Sequence, residues 1–313
     1  MDESTGIGPR GEAAGPVALP ESLLARYRKF SLYNSPYPAH DRARAVDLYP
    51  DSNVGVSPVA GEVLDTRTVG CPDREYAADH DHLIVIDEGD RVARVLHVEP
   101  AVEAGEEVAV GDPLGKMVRS GFFGRWVDNH VHLEFRERAK NPYRASGSLP
   151  LVADADVGPL AWDGTGTVVE TGGSYAALDA PTAGGDASGT GDAGFTALAD
   201  DDGRPLDGGL SHYAGAGVPG VRRDERDGNG DGDPVSLLGM TVGTRVGRHV
   251  DWADVDVLAN GERITGLSLF VAGPGAPAGA KLVTRPEAGD PTFAVGDEVR
   301  VEVVESDDPV RLG

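Results

Sequence analysis

The chain has 313 residues, more than one compact core usually holds, so two units are expected. Lys and Arg total 28 against 52 Asp and Glu, a net charge of −24 that repels phosphate backbones and anionic lipid, so nucleic acid and membrane surfaces are not expected partners. With 44 Gly, 22 Pro and 6% aromatic residues a helical bundle is disfavoured, and the single cysteine, Cys71, excludes an intramolecular disulfide and any multi-cysteine metal site.

Only Lys29, Lys116, Lys140 and Lys281 are lysines, and Arg supplies the remaining positive charge. That balance reads as a halophilic protein kept soluble in concentrated salt. No apolar run approaches the roughly 20 residues that cross a bilayer, and the opening MDESTGIGPRGEAAG lacks a basic then apolar region. A cytoplasmic protein is the expectation.

In chain order, residues 1–19 are rich in Gly, Pro and Glu without periodicity and read as a flexible leader. From Glu21, Leu23, Leu24 and Tyr27 fall on one helical face, so a short helix opens a domain assigned to 20–148. Between Val46 and about Tyr143 run VDLY, GEVLDTRTV, HLIVID, RVARVLHV, EEVAV and HVHLEF, separated by Gly, Pro and Asp. This is the text of an all-β unit. Gly105 and Gly111 mark tight positive-φ turns between brief strands.

Residues 149–313 read as a second, looser β-rich region. A Gly/Asp-rich linker is expected at 172–192 and an acidic loop at 223–233. Asp202-Gly203 is a hairpin signal, and ADVDVLA, RITGLSLFVA, AKLVT and EVRVEVV are strand text.

Asn129-His130-Val131-His132-Leu133-Glu134-Phe135 carries the most chemistry. Strand alternation puts His130 and His132 on one face, about 7 Å apart along the backbone, with Val131 and Leu133 on the other. An isolated His-x-His also occurs on solvated strand faces, so the neighbouring text decides. Four blocks stand in order: Ala45-Val46-Asp47-Leu48, Ser57-Pro58-Val59-Ala60-Gly61-Glu62-Val63, Arg94-Val95-Leu96-His97-Val98, and His130-Val131-His132-Leu133-Glu134-Phe135, with the glycine-spaced run 102–115 between the last two.

Residues 37–136 thereby resemble the lysostaphin/LytM-type zinc metallopeptidases, whose fold is a duplicated hybrid motif of β-strands. The resemblance implies an all-β LytM-like domain, zinc as cofactor, and a peptide or peptide-like substrate cut at an amide bond by metal-activated water. It further implies Asp47 and His132 as zinc ligands, His130 as general base and His97 as the group that stabilises the oxyanion. The family's histidine four positions before the aspartate is absent, because Ala43 stands there. His40, seven positions before Asp47, is the candidate third ligand, provided the loop 40–46 bulges. The alternative is a catalytically impaired member of the fold that acts as a binding or scaffold module.

Other segments carry weaker signals. His80 and His82 read as a solvated strand entrance, and His212 and His249 as surface residues. Asp227, Asn229 and Asp231 match half of a calcium loop but Leu238 stands where a bidentate Glu belongs, so a solvated acidic loop is preferred. Lys116 lacks the setting of a biotinyl or lipoyl carrier lysine, and Cys71 has no sign of activation. Gly-x-Ser-x-Gly and P-loop motifs are missing.

Overall fold

A computed structural model describes residues 15–182, 194–220 and 232–312. The chain is all-β, with only single-turn helices at Glu21–Leu24 and Pro38–Asp41 and a 3-10 turn at Pro286–Ala288 among the described residues. No helix among these residues is long and apolar enough to cross a membrane.

Strand alternation builds the part that matters most. Val46–Tyr49, Val131–Glu137, Arg91–Leu96, His80–Asp87 and Gly61–Gly70 pair in that order, each antiparallel to the next. One face presents Val46, Leu48, Val131, Leu133, Ala93 and Val95, all fully buried in one core. Such a side chain contributes roughly 1.5–3 kcal/mol when removed from water. Asp47, His132, Glu134 and Arg94 take the alternate positions and share the opposite face.

The other side of this core is closed by a small sheet of Val54–Val56, Pro113–Met117 and Val98–Pro100, which contributes Val98, Leu114 and Met117. Gly105 and Gly111 have φ of 91° and 94°, the left-handed turns expected of them. Gly115 is needed for another reason: a Cβ there would lie 1.9 Å from the Glu99 carbonyl oxygen on the paired strand.

The second core belongs to a sheet running from Asp233–Leu237 at one edge to Glu262–Ile264 at the other. The chain passes between the two sheets more than once. Val157–Leu160, Phe195–Leu198 and Val271–Ala272 extend the first sheet, where Val271–Ala272 pairs with Lys29–Ser31. Asp207–Leu210 and Gly266–Leu269 lie in the second.

Several expectations are corrected. Val17–Pro20 is not leader but a strand parallel to Leu151–Asp154, with Val17 and Leu19 buried in the first core. Within the expected linker, Tyr175–Leu178 is a strand whose Ala176 and Leu178 enter the second core; small residues pack there as well as they link. Residues 183–193 lie outside the described residues, as do 223–231 of the acidic loop and the calcium-like Asp227, Asn229 and Asp231. Asp233 already opens the strand Asp233–Leu237. The Asp202-Gly203 turn is real, with Gly203 at φ 81°, but it carries one bridge, Ala199 to Pro205, before its two arms enter different sheets. Lys116, not read as a carrier lysine, lies within the strand Pro113–Met117 and is paired on both sides.

Candidate metal centre

In the first sheet Asp47 and His132 are direct cross-strand partners, so their side chains stand beside each other by register alone. His132 Nδ1 is 2.8 Å from Asp47 Oδ1. His130, two positions earlier on the same face, places Nε2 3.4 Å from the same oxygen. His97 follows Leu96, the other cross-strand partner of His132, and its φ of 68° turns it away from the ladder. Its ring centroid lies 4.9 Å from that of His130 and 5.4 Å from that of His132.

His40 arrives by a local device. Pro38 starts the single-turn helix Pro38–Asp41 at a position where a missing N–H costs nothing. The turn is closed by Ala43 N–H to the His40 carbonyl (3.2 Å) and Arg44 N–H to the Ala39 carbonyl (2.7 Å), with Ala43 left-handed at φ 48°. The extra residues between His40 and Asp47 are absorbed in this turn. His40 Nε2 ends 3.4 Å from Asp47 Oδ1 and 3.4 Å from His132 Nδ1. Ala43 itself is fully buried in the first core.

Each ring has one nitrogen tied down. His40 Nδ1–H donates to the Leu32 carbonyl at 3.0 Å, and His130 Nδ1–H to the Asp128 carbonyl at 2.9 Å. His97 Nδ1–H donates to Asp81 Oδ2 at 2.6 Å, and His132 Nε2–H to Glu134 Oε1 at 3.1 Å. The free nitrogens of His40 and His130 and the Nδ1 of His132 all face Asp47. Outer hydrogen bonds of this kind orient imidazoles that ligate metals.

The supporting carboxylates are themselves held. Glu134 accepts from Arg94, Ser148 and, at 3.3 Å, Arg136. Asp81 accepts from Ser120 Oγ at 2.7 Å and from the His97 and His82 N–H groups. Burial opposes the charge on Asp81, but His97 and these donors outweigh it and lower its pKa to about 2. Burial likewise opposes charge on Asp47 and Glu134, and the surrounding histidines, with Arg94 beside Glu134, hold both well below the usual carboxylate range. His130 is pushed down to about 3, chiefly by burial. On His132 the burial is overcome by Asp47 and Glu134, which raise it to about 9.

The donor set His40, Asp47 and His132 fits zinc, which takes nitrogen and carboxylate oxygen and keeps an open position in catalytic sites. A tetrahedral ion with bonds of about 2.0–2.1 Å spaces its ligands about 3.3 Å apart. The two 3.4 Å separations already match, while the 2.8 Å one, now bridged by a proton, must open slightly. A second grouping, His97, His130 and His132, is also close enough to hold an ion. It lacks a carboxylate, and the free His40 and His130 nitrogens converge on Asp47 instead.

The cluster opens on a cleft of about 410 Å³ walled by Tyr37, Phe122, Phe123, Tyr143, Tyr213, Leu83 and Leu96. Arg94, the one arginine or lysine among the described residues that line it, is paired with Glu134.

Other sequence candidates lie elsewhere. His80 is exposed and His82 half-buried, but Asp81 between them is buried and carries the contact to His97. His212, expected on the surface, is fully buried against Trp126 and Tyr213, because an aromatic cluster from both halves of the chain closes over it. His249 is half-buried, edge-on to Tyr33. Cys71 Sγ contacts the Ala78 carbonyl and joins no cluster. Asp81 and Glu134, the outer partners of His97 and His132, are not among the candidates that the sequence motifs single out. Glu134 was legible from period two, since it shares a face with His132.

The fold and site define an all-β protein with a histidine and aspartate centre of metal-ligand type. The chain belongs to the DUF8155 family, a domain of unknown function, whose N-terminal domain model matches residues 18–153 and whose C-terminal domain model matches 158–304. The solution NMR structure of lysostaphin is similar over 88% of this chain and 96% of that one, with 14% identity and a TM-score of 0.24, too low to bear on the site. No curated protein matches the chain.

Proposed function

We propose that this protein is a zinc-dependent hydrolase that cuts an amide bond in a peptide or peptide-like substrate, a member by site and fold of the lysostaphin/LytM kind. One observation carries the reading: His40 Nε2, Asp47 Oδ1 and His132 Nδ1 meet within 3.4 Å, and the outer nitrogen of each ring is held by Leu32 or Glu134, so that the inner nitrogen of His132 can ligate once the proton it shares with Asp47 is released. Zinc in such a set supplies Lewis acidity, enough to make water a nucleophile near neutral pH.

The chain's own groups do the rest. His130 has its Nδ1–H on the Asp128 carbonyl and its Nε2 free beside Asp47, placed to take the proton from the attacking water. His97 faces the same cleft, and ionised Asp81 accepts from its Nδ1–H and holds the ring in place. That ring donates to the oxyanion as it develops. The aromatic walls suit the apolar surface of a substrate, and the lining arginine, Arg94, is committed to Glu134.

Against the scaffold alternative stands the position of His40, whose Nε2 lies 3.4 Å from both Asp47 Oδ1 and His132 Nδ1 and so offers a third ligand where Ala43 offers none. Burying four imidazoles together also has no purpose in a scaffold. Metal analysis of the purified chain with an amidase assay tests the reading: one zinc per chain and activity abolished in His132→Ala support it, and no zinc at stoichiometric loading overturns it.

A further inference from the structure

We infer that the C-terminal domain is a working part of this centre, in which Asp207 and Lys281 are positioning residues that hold the His40 and His130 rings. The inference rests on the metal-site reading above and extends it to residues in the part of the chain matched by the C-terminal family model.

Asp207 opens the strand Asp207–Leu210 and is fully buried. Its Oδ1 accepts from Ser31 Oγ at 2.5 Å and its Oδ2 from the Leu32 N–H at 2.6 Å. Leu32 is the residue whose carbonyl accepts from His40 Nδ1–H. A carboxylate buried without an ion pair costs stability. None of the ion pairs among the described residues includes Asp207, so its place is explained by what it holds. Ser268 adds a second clamp on the same loop, its Oγ accepting from Asn34 Nδ2–H at 2.6 Å.

Lys281 opens the strand Lys281–Val283, 7% exposed, with Nζ 3.5 Å from Asp128 Oδ1 and 4.2 Å above the Tyr175 ring. Lys29 and Arg28 hold the other oxygen of Asp128 at 2.7 and 3.1 Å. The Asp128 carbonyl accepts from His130 Nδ1–H. Two of the chain's four lysines thus converge on the one residue that orients His130. The two relays are separate: Asp207 acts through Leu32 on His40, and Lys281 acts through Asp128 on His130.

The test uses the full chain, metal-free and labelled with ¹⁵N-histidine, and reads each imidazole's tautomer by long-range NMR couplings, with assignments from His40→Ala and His130→Ala. In the wild type both rings are protonated at Nδ1. Asp207→Ala mixes the tautomers of His40 alone and weakens zinc binding about ten- to a hundredfold, the usual effect of losing an outer partner. Lys281→Met mixes those of His130 alone and leaves zinc affinity unchanged. Asp207→Asn, whose carboxamide oxygen can still accept from Leu32, restores His40. Should Asp207→Ala fail to fold, Asp207→Glu displaces the carboxylate by one methylene and is read in the same way. Variants that disturb both rings alike, or neither, overturn the proposal. Rings that respond as described in a wild type that binds no zinc support the positioning and sink the metal reading instead.

Discussion

His40 Nε2 lies 3.4 Å from Asp47 Oδ1 although His40 precedes Asp47 by seven positions and the intervening Ala43 is turned into the core. The candidate metal centre therefore depends on a helical turn as much as on its side chains.

Removing either imidazole leaves two protein ligands where catalytic zinc takes three. His40→Ala and His132→Ala are each expected to weaken zinc binding by at least about a hundredfold, the upper end of the cost of losing only an outer partner. Competition with a chromophoric chelator measures this, and wild-type affinity in His40→Ala would remove that residue from the site.

Moving the histidine to position 43 does not repair the loss. Ala43 is fully buried and left-handed, so an imidazole there meets packed side chains instead of Asp47. The double variant His40→Ala/Ala43→His is expected to bind zinc no better than His40→Ala, and to unfold at lower denaturant because the core is overpacked. Regained stoichiometric zinc would show that the turn is not what places the ligand.

Asp81→Asn keeps the shape but loses the charge that faces His97 Nδ1. The expected result is kcat reduced about ten- to a hundredfold with zinc content and KM little changed. Unchanged kcat would mean that the pair is structural only.

Burial raises the pKa of Asp207 to about 7, against the donors Ser31 and Leu32, which lower it. The folded pKa exceeds the unfolded one, so the stability this group contributes is complete below about pH 4 and is lost as pH rises through about 7. Urea unfolding of the wild type and of Asp207→Asn should show their difference moving in favour of Asn by about 3 kcal/mol between pH 5 and 8. A difference independent of pH contradicts a buried, titrating Asp207.

The strands were legible because alternation dictates them: Val131 and Leu133 point to the core and His132 to the opposite face, as period two requires. Glu134 follows from the same rule. What the sequence hides is tertiary. Asp81 reads as one acid among many in a chain with 52, and only the fold brings it to His97 across 16 positions. Asp207 and Lys281 are farther still, and no local pattern marks a lone aspartate or lysine as the partner of a distant backbone. His212 reads as a surface residue because the aromatic residues that bury it come from Trp126 and Tyr213, on either side of the domain boundary.

Crystals of the full chain grown with equimolar zinc, measured on both sides of the zinc absorption edge, test the central claim most directly. One anomalous peak is expected, about 2.0–2.2 Å from His40 Nε2, Asp47 Oδ1 and His132 Nδ1, with His97 and His130 unbound. A peak held by His97, His130 and His132, or none at all, would contradict it.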